Sequence, residues 1–165
     1  MAGDDNERPP IVGFFMLAVP SLIALILIIL AISYYPGQGK RIASLYTAVA
    51  NPADQTLTAG AKAYNRDQLA HLAAARADLA QLVKTDLNFD AGIRATEFPP
   101  RIGTASLVDA NEARIKLFRQ QEKSTTLRQL QSFDKRDQTA NAAVEADAQQ
   151  VRTALGLPPT GGQLF

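Results

Sequence analysis

Ile11 to Tyr35 form one unbroken apolar run, IVGFFMLAVPSLIALILIILAISYY, with no charged residue between Arg8 and Lys40. At about 1.5 Å of rise per residue, a helix of this run is long enough to cross the ~30 Å hydrocarbon core of a bilayer. The expected architecture is all-α: a single N-terminal transmembrane helix, then a short amphipathic helix and a long antiparallel helical hairpin of coiled-coil type. In domain terms the chain divides into a polar tail over 1–10, the transmembrane helix over 11–35, a helical extramembrane domain over 36–155 with a loop at 85–105, and an extended tail over 156–165.

A cleaved secretory signal is the competing reading of the run, because Ala31-Ile32-Ser33 has the small-x-small form of a cleavage site. The run is about twice as long as a signal core, and the tail before it is acidic (Asp4, Asp5, Glu7) where a signal carries positive charge. A retained anchor is therefore expected. Arg8 on one side and Lys40 and Arg41 on the other nearly balance, so the basic residues leave the orientation open. The expected location is a bacterial inner or intracytoplasmic membrane.

Within the run, Gly13, Pro20, Ala24 and Ala31 fall within about 40° of one another at 100° per residue and make one seam of small or helix-loosening residues. Small residues allow a second helix to approach closely, so this seam is the expected contact with a partner helix. The run holds no His, Asp, Glu, Lys or Arg. It therefore has no imidazole for haem or chlorophyll and no group to relay protons.

Composition narrows the rest. The chain has 165 residues, no Cys, no Trp, one His and a net charge of +1. Without cysteine there are no disulfides, thiolate metal sites or covalent c-type haem. Near-neutral charge without a Lys/Arg cluster gives no electrostatic footprint for nucleic acid.

Pro36-Gly37-Gln38-Gly39 reads as a turn, and Ile42, Leu45, Tyr46 and Val49 recur at helical spacing after it. Asn51-Pro52-Ala53-Asp54 carries start signals for a second helix, expected to run to about Lys84 along a seam of Leu69, Leu72, Arg76, Leu79 and Val83. Gly60 weakens its first part. From Ser106 to Leu155 there is neither Gly nor Pro. Ser106–Asp109 resembles a capping box, and Gly156 and Pro158 form a stop signal. Gln120–Thr126 and Asp134–Asn141 are polar interruptions where a helix of about 75 Å would bend or divide.

Between the two arms of the hairpin, counting from Asp86, oxygen-bearing side chains stand at positions 1, 3 and 5, an aliphatic residue at 8 and a glutamate at 12. This spacing resembles an EF-hand calcium loop. The resemblance implies a calcium site in which Asp86, Asn88, Asp90 and Glu97 supply side-chain oxygens and Gly92 its carbonyl. It departs from that pattern at Ala91, where the turn calls for glycine, and at Pro99-Pro100, which interrupt the exit helix. The alternative is a polar helix–loop connection in which Asp86 and Asp90 make local hydrogen bonds. Calcium is the one cofactor considered, and a single imperfect loop would matter mainly where calcium is near millimolar, outside the cytoplasm.

Leu157-Pro158-Pro159-Thr160-Gly161 looks like a sortase anchoring signal, but the hydrophobic segment and basic tail that such a signal needs do not follow it. His71, one turn after Asp67, gives two possible metal ligands, which do not make a site. Asp109 with Glu112 and Glu145 with Asp147 are carboxylate pairs expected on solvated helix faces. There is no nucleophile elbow, phosphate loop or zinc signature, so an enzyme is not expected.

The expected function is a non-catalytic accessory or scaffold subunit of a larger membrane complex. A photosynthetic or respiratory complex is preferred by analogy with the cofactor-free single-span subunits found there. Its expected partners are other membrane subunits and the bilayer, with no nucleic acid and no small-molecule substrate. The alternatives are a membrane-tethered calcium-binding module and a self-associating coiled-coil tether of the cell envelope.

Overall fold

The computed structural model describes residues 12–159, with side chains from residue 37 onward. The described residues form helices and no strand: α1 (Val12–Asp67), α2 (Leu72–Ala95), a 3-10 turn (Pro100–Ile102), α3 (Thr104–Gln121), α4 (Leu127–Gln131) and α5 (Asp134–Ala154). Two compact units are distinguished, Met1–Gly39 and Lys40–Phe165. Among the described residues no helix is long and apolar enough to cross a membrane. The backbone over 12–35 is the first part of α1 and the transmembrane helix expected over 11–35 is not supported there, while Ile11 and the side chains of the expected seam, Gly13, Pro20, Ala24 and Ala31, lie outside the described residues.

The second unit is an up-down-up-down arrangement of α1 from Lys40 onward, α2, α3 and α5. Its first pair is held by an alanine-rich stripe on α1, where Tyr46, Ala50, Ala53, Leu57, Ala61 and Tyr64 recur at three- and four-residue spacing and are all buried. The buried residues of α2 are Ala75, Leu79, Leu82, Val83, Thr85, Asp86, Asp90 and Ile93. Two glycines mark where these helices come closest. A Cβ on Gly60 would lie 2.8 Å from Leu82 Cδ2, and one on Gly92 would lie 2.7 Å from Val49 Cγ1. Such contact needs small residues at the crossing, as in any closely packed helix pair.

The apolar core falls into two clusters. One joins Leu57, Tyr64, Leu79, Leu82, Ile115, Phe118 and Leu130. The other joins Tyr46, Ile93, Ile102, Leu107, Val144 and Val151. Each fully buried leucine or valine contributes about 1.5–3 kcal/mol relative to exposure.

Several expected boundaries are corrected. Neither Pro36–Gly39 nor Asn51–Pro52 interrupts α1, which is continuous to Asp67. The buried stripe from Tyr46 to Tyr64 runs straight past Pro52, whose own position is exposed, so tertiary packing overrides the local start signal. The hairpin turn comes instead at residues 68–71, with Leu69 71% exposed although it was expected in a seam. The long loop expected over 85–105 is helix as far as Ala95, and the true connection is 96–103. There the Pro99-Pro100 pair and Gly103, at φ 80°, set the turn into α3. The last arm divides after Gln121, at the first of its two polar interruptions.

The end of α5 follows its stop signal. Gly156 adopts φ 66°, its N–H donates to Thr153 O (3.0 Å), and the Leu157 N–H donates to Arg152 O (2.9 Å). That pair of bonds is a Schellman motif.

Candidate functional site

The core of the second unit is threaded by charge. On α3, Leu107, Asn111, Arg114, Phe118 and Gln121 share one buried face, and three of these five are polar. Arg114 is 2% exposed and Asp86, across from it on α2, is 0% exposed. Arg114 donates from Nε to Asp86 Oδ2 at 3.1 Å and from Nη2 to Asp86 Oδ1 at 2.7 Å, a bidentate pair. Nη2 also donates to Asn111 Oδ1 (2.7 Å), and Nη1 to Asn141 Oδ1 on α5 (3.4 Å). Asn111 Nδ2 in turn donates to Asp90 Oδ1 (2.8 Å) and to the Asp86 carbonyl (3.2 Å).

Burial pushes the Asp86 carboxyl up to about 6, against the pull of the Arg114 charge and hydrogen bonds. Asp90 is likewise raised by burial, with the Asn111 hydrogen bond opposing. Desolvation thus outweighs pairing at both acids.

A second polar layer lies one to two turns away. Gln121 Nε2 donates to the Tyr64 hydroxyl (3.3 Å) and to Asp137 Oδ2. Burial pushes Asp137 up to about 6. Asp137 Oδ1, Gln121 Oε1 and the nearby Ser124 Oγ are buried without a hydrogen-bond partner among the described residues.

Between the first layer and the apolar cluster around Leu107 is a cavity of about 180 Å³. Leu57, Leu107, Val144 and Ala148 supply apolar wall, and Tyr46 and Phe89 supply aromatic wall. Asp54, Thr58, Arg114 and Glu145 supply its polar groups. Burial raises Asp54, opposed by the charges of Arg152 and Arg114. Burial first, and the Asp54 charge second, push the Tyr46 hydroxyl up to about 12.

The residues expected to hold calcium are placed as follows. Asp86, Asn88, Asp90 and Gly92 all lie on α2, and Glu97 lies two residues past its end. Asp86 and Asp90 face inward to Arg114 and Asn111, while Asn88 and Glu97 are exposed. A helix separates these oxygens along and around its axis, where a calcium loop folds them about one point. Among the described residues no group of three or more His, Asp or Glu side chains could hold a metal ion.

Asp67 is paired with Arg66 (2.6 Å) and His71 is the exposed residue that precedes α2. Of the carboxylate pairs, Glu112 accepts from Arg94 (2.6 Å) and Asp147 from Ser106 (3.0 Å), while Glu145 turns to the cavity.

Sequence reasoning missed Arg114, Asn111, Gln121 and Asp137. Their signal was polar residues standing at seam positions of two helices, α3 and α5, which only buried partners can satisfy. No known protein family matches the chain, and neither a curated protein nor a solved structure is similar to it.

Proposed function

We propose that the protein is a non-catalytic single-pass accessory subunit. The run over 11–35 anchors it, and its helical domain braces neighbouring subunits of a larger membrane complex of photosynthetic or respiratory type. The observation that carries this reading is the charge-free apolar run of the sequence, attached to a domain whose central charges bond to one another.

Two features support it. Asp86 and Arg114, the charges at the centre of the bundle, are committed to one another. A buried ionic layer of this kind suits a scaffold, because it specifies which helices meet and in which register. The seam of Gly13, Pro20, Ala24 and Ala31 supplies a surface for a partner helix.

The test is purification from the protein's own membranes in mild detergent, followed by sizing and identification of what travels with it. Co-elution at fixed stoichiometry with a pigment- or haem-containing complex is expected, and Ala24→Leu with Ala31→Leu should weaken it. Elution of the chain alone would overturn the reading.

A further inference from the structure

Among the described residues, five buried side-chain atoms have no hydrogen-bond partner, and all five are oxygens: Gln68 Oε1, Asp78 Oδ2, Gln121 Oε1, Ser124 Oγ and Asp137 Oδ1. They stand toward the end of the bundle where the turn after α1 meets α4, Gln131 Nε2 donating there to the Gln68 carbonyl (3.0 Å). Two of the five belong to residues that wall a cavity of about 280 Å³, Gln68 just past the end of α1 and Asp137 on α5. Tyr64 walls it as well. Its hydroxyl accepts from Gln121 Nε2 (3.3 Å), the nitrogen that also donates to Asp137 Oδ2. The phenol oxygen and the carboxylate thus touch one nitrogen, and Gln68 follows Tyr64 by one turn, its N–H donating to the Tyr64 carbonyl (2.9 Å).

A buried acceptor without a donor is unfavourable, and a buried carboxylate without a counter-charge more so. Asp137 is 8% exposed, and among the described residues its one hydrogen bond comes from the neutral Gln121 amide. Arg136, the cation that acts on it, spends its guanidinium on Gln120 Oε1 (3.3 Å) and on the face of Phe133 (5.1 Å). Asp134 adds a second carboxylate to the wall, and no Lys or Arg lines it. An anion would meet two carboxylates there, and an apolar molecule would leave the oxygens unanswered. Water would answer the oxygens but not the charge. A divalent ion draws on several carboxylates. A monovalent ion is held by carbonyl-type oxygens that replace its hydration shell, which suits one buried carboxylate beside an amide and a phenol.

We propose that this cavity binds one small monovalent metal cation, potassium or sodium, through the free oxygen of Asp137, the side-chain oxygen of Gln68 and the hydroxyl oxygen of Tyr64, with water completing its shell. The ion ties the end of α1 to the first turn of α5. All of these residues belong to the unit over 40–165, so the proposal stands or falls independently of the membrane reading.

The test is thermal unfolding of the full chain in mild detergent, in potassium, sodium or tetramethylammonium chloride at equal ionic strength. Tetramethylammonium carries the same charge but is too bulky for oxygens to close on. Potassium or sodium should raise the melting temperature saturably, by roughly 5 °C at ten times its Kd, and the larger rise names the preferred ion. Asp137→Asn should abolish the rise. Should that variant not fold, Gln68→Met keeps the length of the side chain and should raise the half-saturating concentration several-fold. A proton and the ion compete for one carboxylate, which burial pushes up to about 6, so the rise should be larger at pH 8 than at pH 5. The charged and titratable groups around Asp137 are Asp134 and Arg136 on its own helix and Tyr64 on α1, while α2 and α3 present Leu82, Phe118 and Gln121. Equal melting temperatures in all three salts, which would leave water as the filling, would overturn the proposal. So would a rise that survives Asp137→Asn, or one indifferent to Gln68→Met or to pH.

Discussion

Replacing Arg114 with Met removes a guanidinium from the centre of the bundle while keeping most of its volume. Asp86 then loses both bonds to its carboxylate, at 3.1 and 2.7 Å, and Asn111 Oδ1 loses its donor. Removing one member of a buried pair leaves an uncompensated charge and costs about 3–5 kcal/mol. For a domain of this size that is a drop of roughly 10 °C or more in melting temperature.

The loss should depend on pH. With its folded pKa already raised to about 6, and with Arg114 gone, Asp86 titrates higher still. A carboxyl raised in the folded state contributes stability at low pH that is lost as pH rises through the folded value. The difference between parent and Arg114→Met should therefore be largest near pH 8 and shrink toward pH 5. Adding Asp86→Leu removes the stranded carboxylate and should recover most of the loss, a coupling of about 2 kcal/mol or more in a double-mutant cycle. Urea unfolding followed by circular dichroism reads all three arms. A loss below about 1 kcal/mol at pH 7, or additive single losses, would refute the reasoning that this pair is desolvated and mutually dependent.

Other perturbations test separate parts of the structure. Gly92→Ala should destabilise by about 1–3 kcal/mol, because its Cβ would meet Val49 Cγ1 on a stiff β-branched side chain, and Val49→Ala should rescue it. Gly60→Ala should change stability by under about 1 kcal/mol, since it meets the flexible end of Leu82 and alanine favours the helix; thermal melts of both variants compare the two sites. The urea midpoint of the parent should fall as pH rises from about 4 through 6, where Asp86 and Asp137 ionise at a cost, and Asp137→Asn should flatten that slope. With Asp86 tied to Arg114 and Asp90 to Asn111, millimolar calcium should leave the melting temperature unchanged. A calcium-dependent rise abolished by Glu97→Gln would support the calcium-loop reading.

Helix was legible wherever local signals and burial agreed. The stop at Gly156 is an example, because a left-handed residue after a helix requires what glycine allows and little else. The seam of α1 was less legible. Its buried stripe is built from alanines between Tyr46 and Tyr64, and alanine reads as helix former without saying which face it turns inward. Asp86, Asn88, Asp90 and Glu97 were drawn together by spacing alone. Spacing is a fact about order along the chain, and it yields a calcium loop only if the backbone folds around a point.

What the sequence by itself determined is the all-helical class, the charge-free apolar run, the terminator of α5 and the absence of thiol chemistry. Each depends on residues near one another in the chain, or on composition. What only the tertiary structure decided is the bundle's pairing and the fate of its buried charges. Asp86 meets Arg114 across 28 positions of sequence, and Tyr64 meets Gln121 across 57. The cavity beside them exists only because four helices converge on it. Such contacts depend on which faces find one another, and desolvation makes that choice for the charged residues far more sharply than local propensity can.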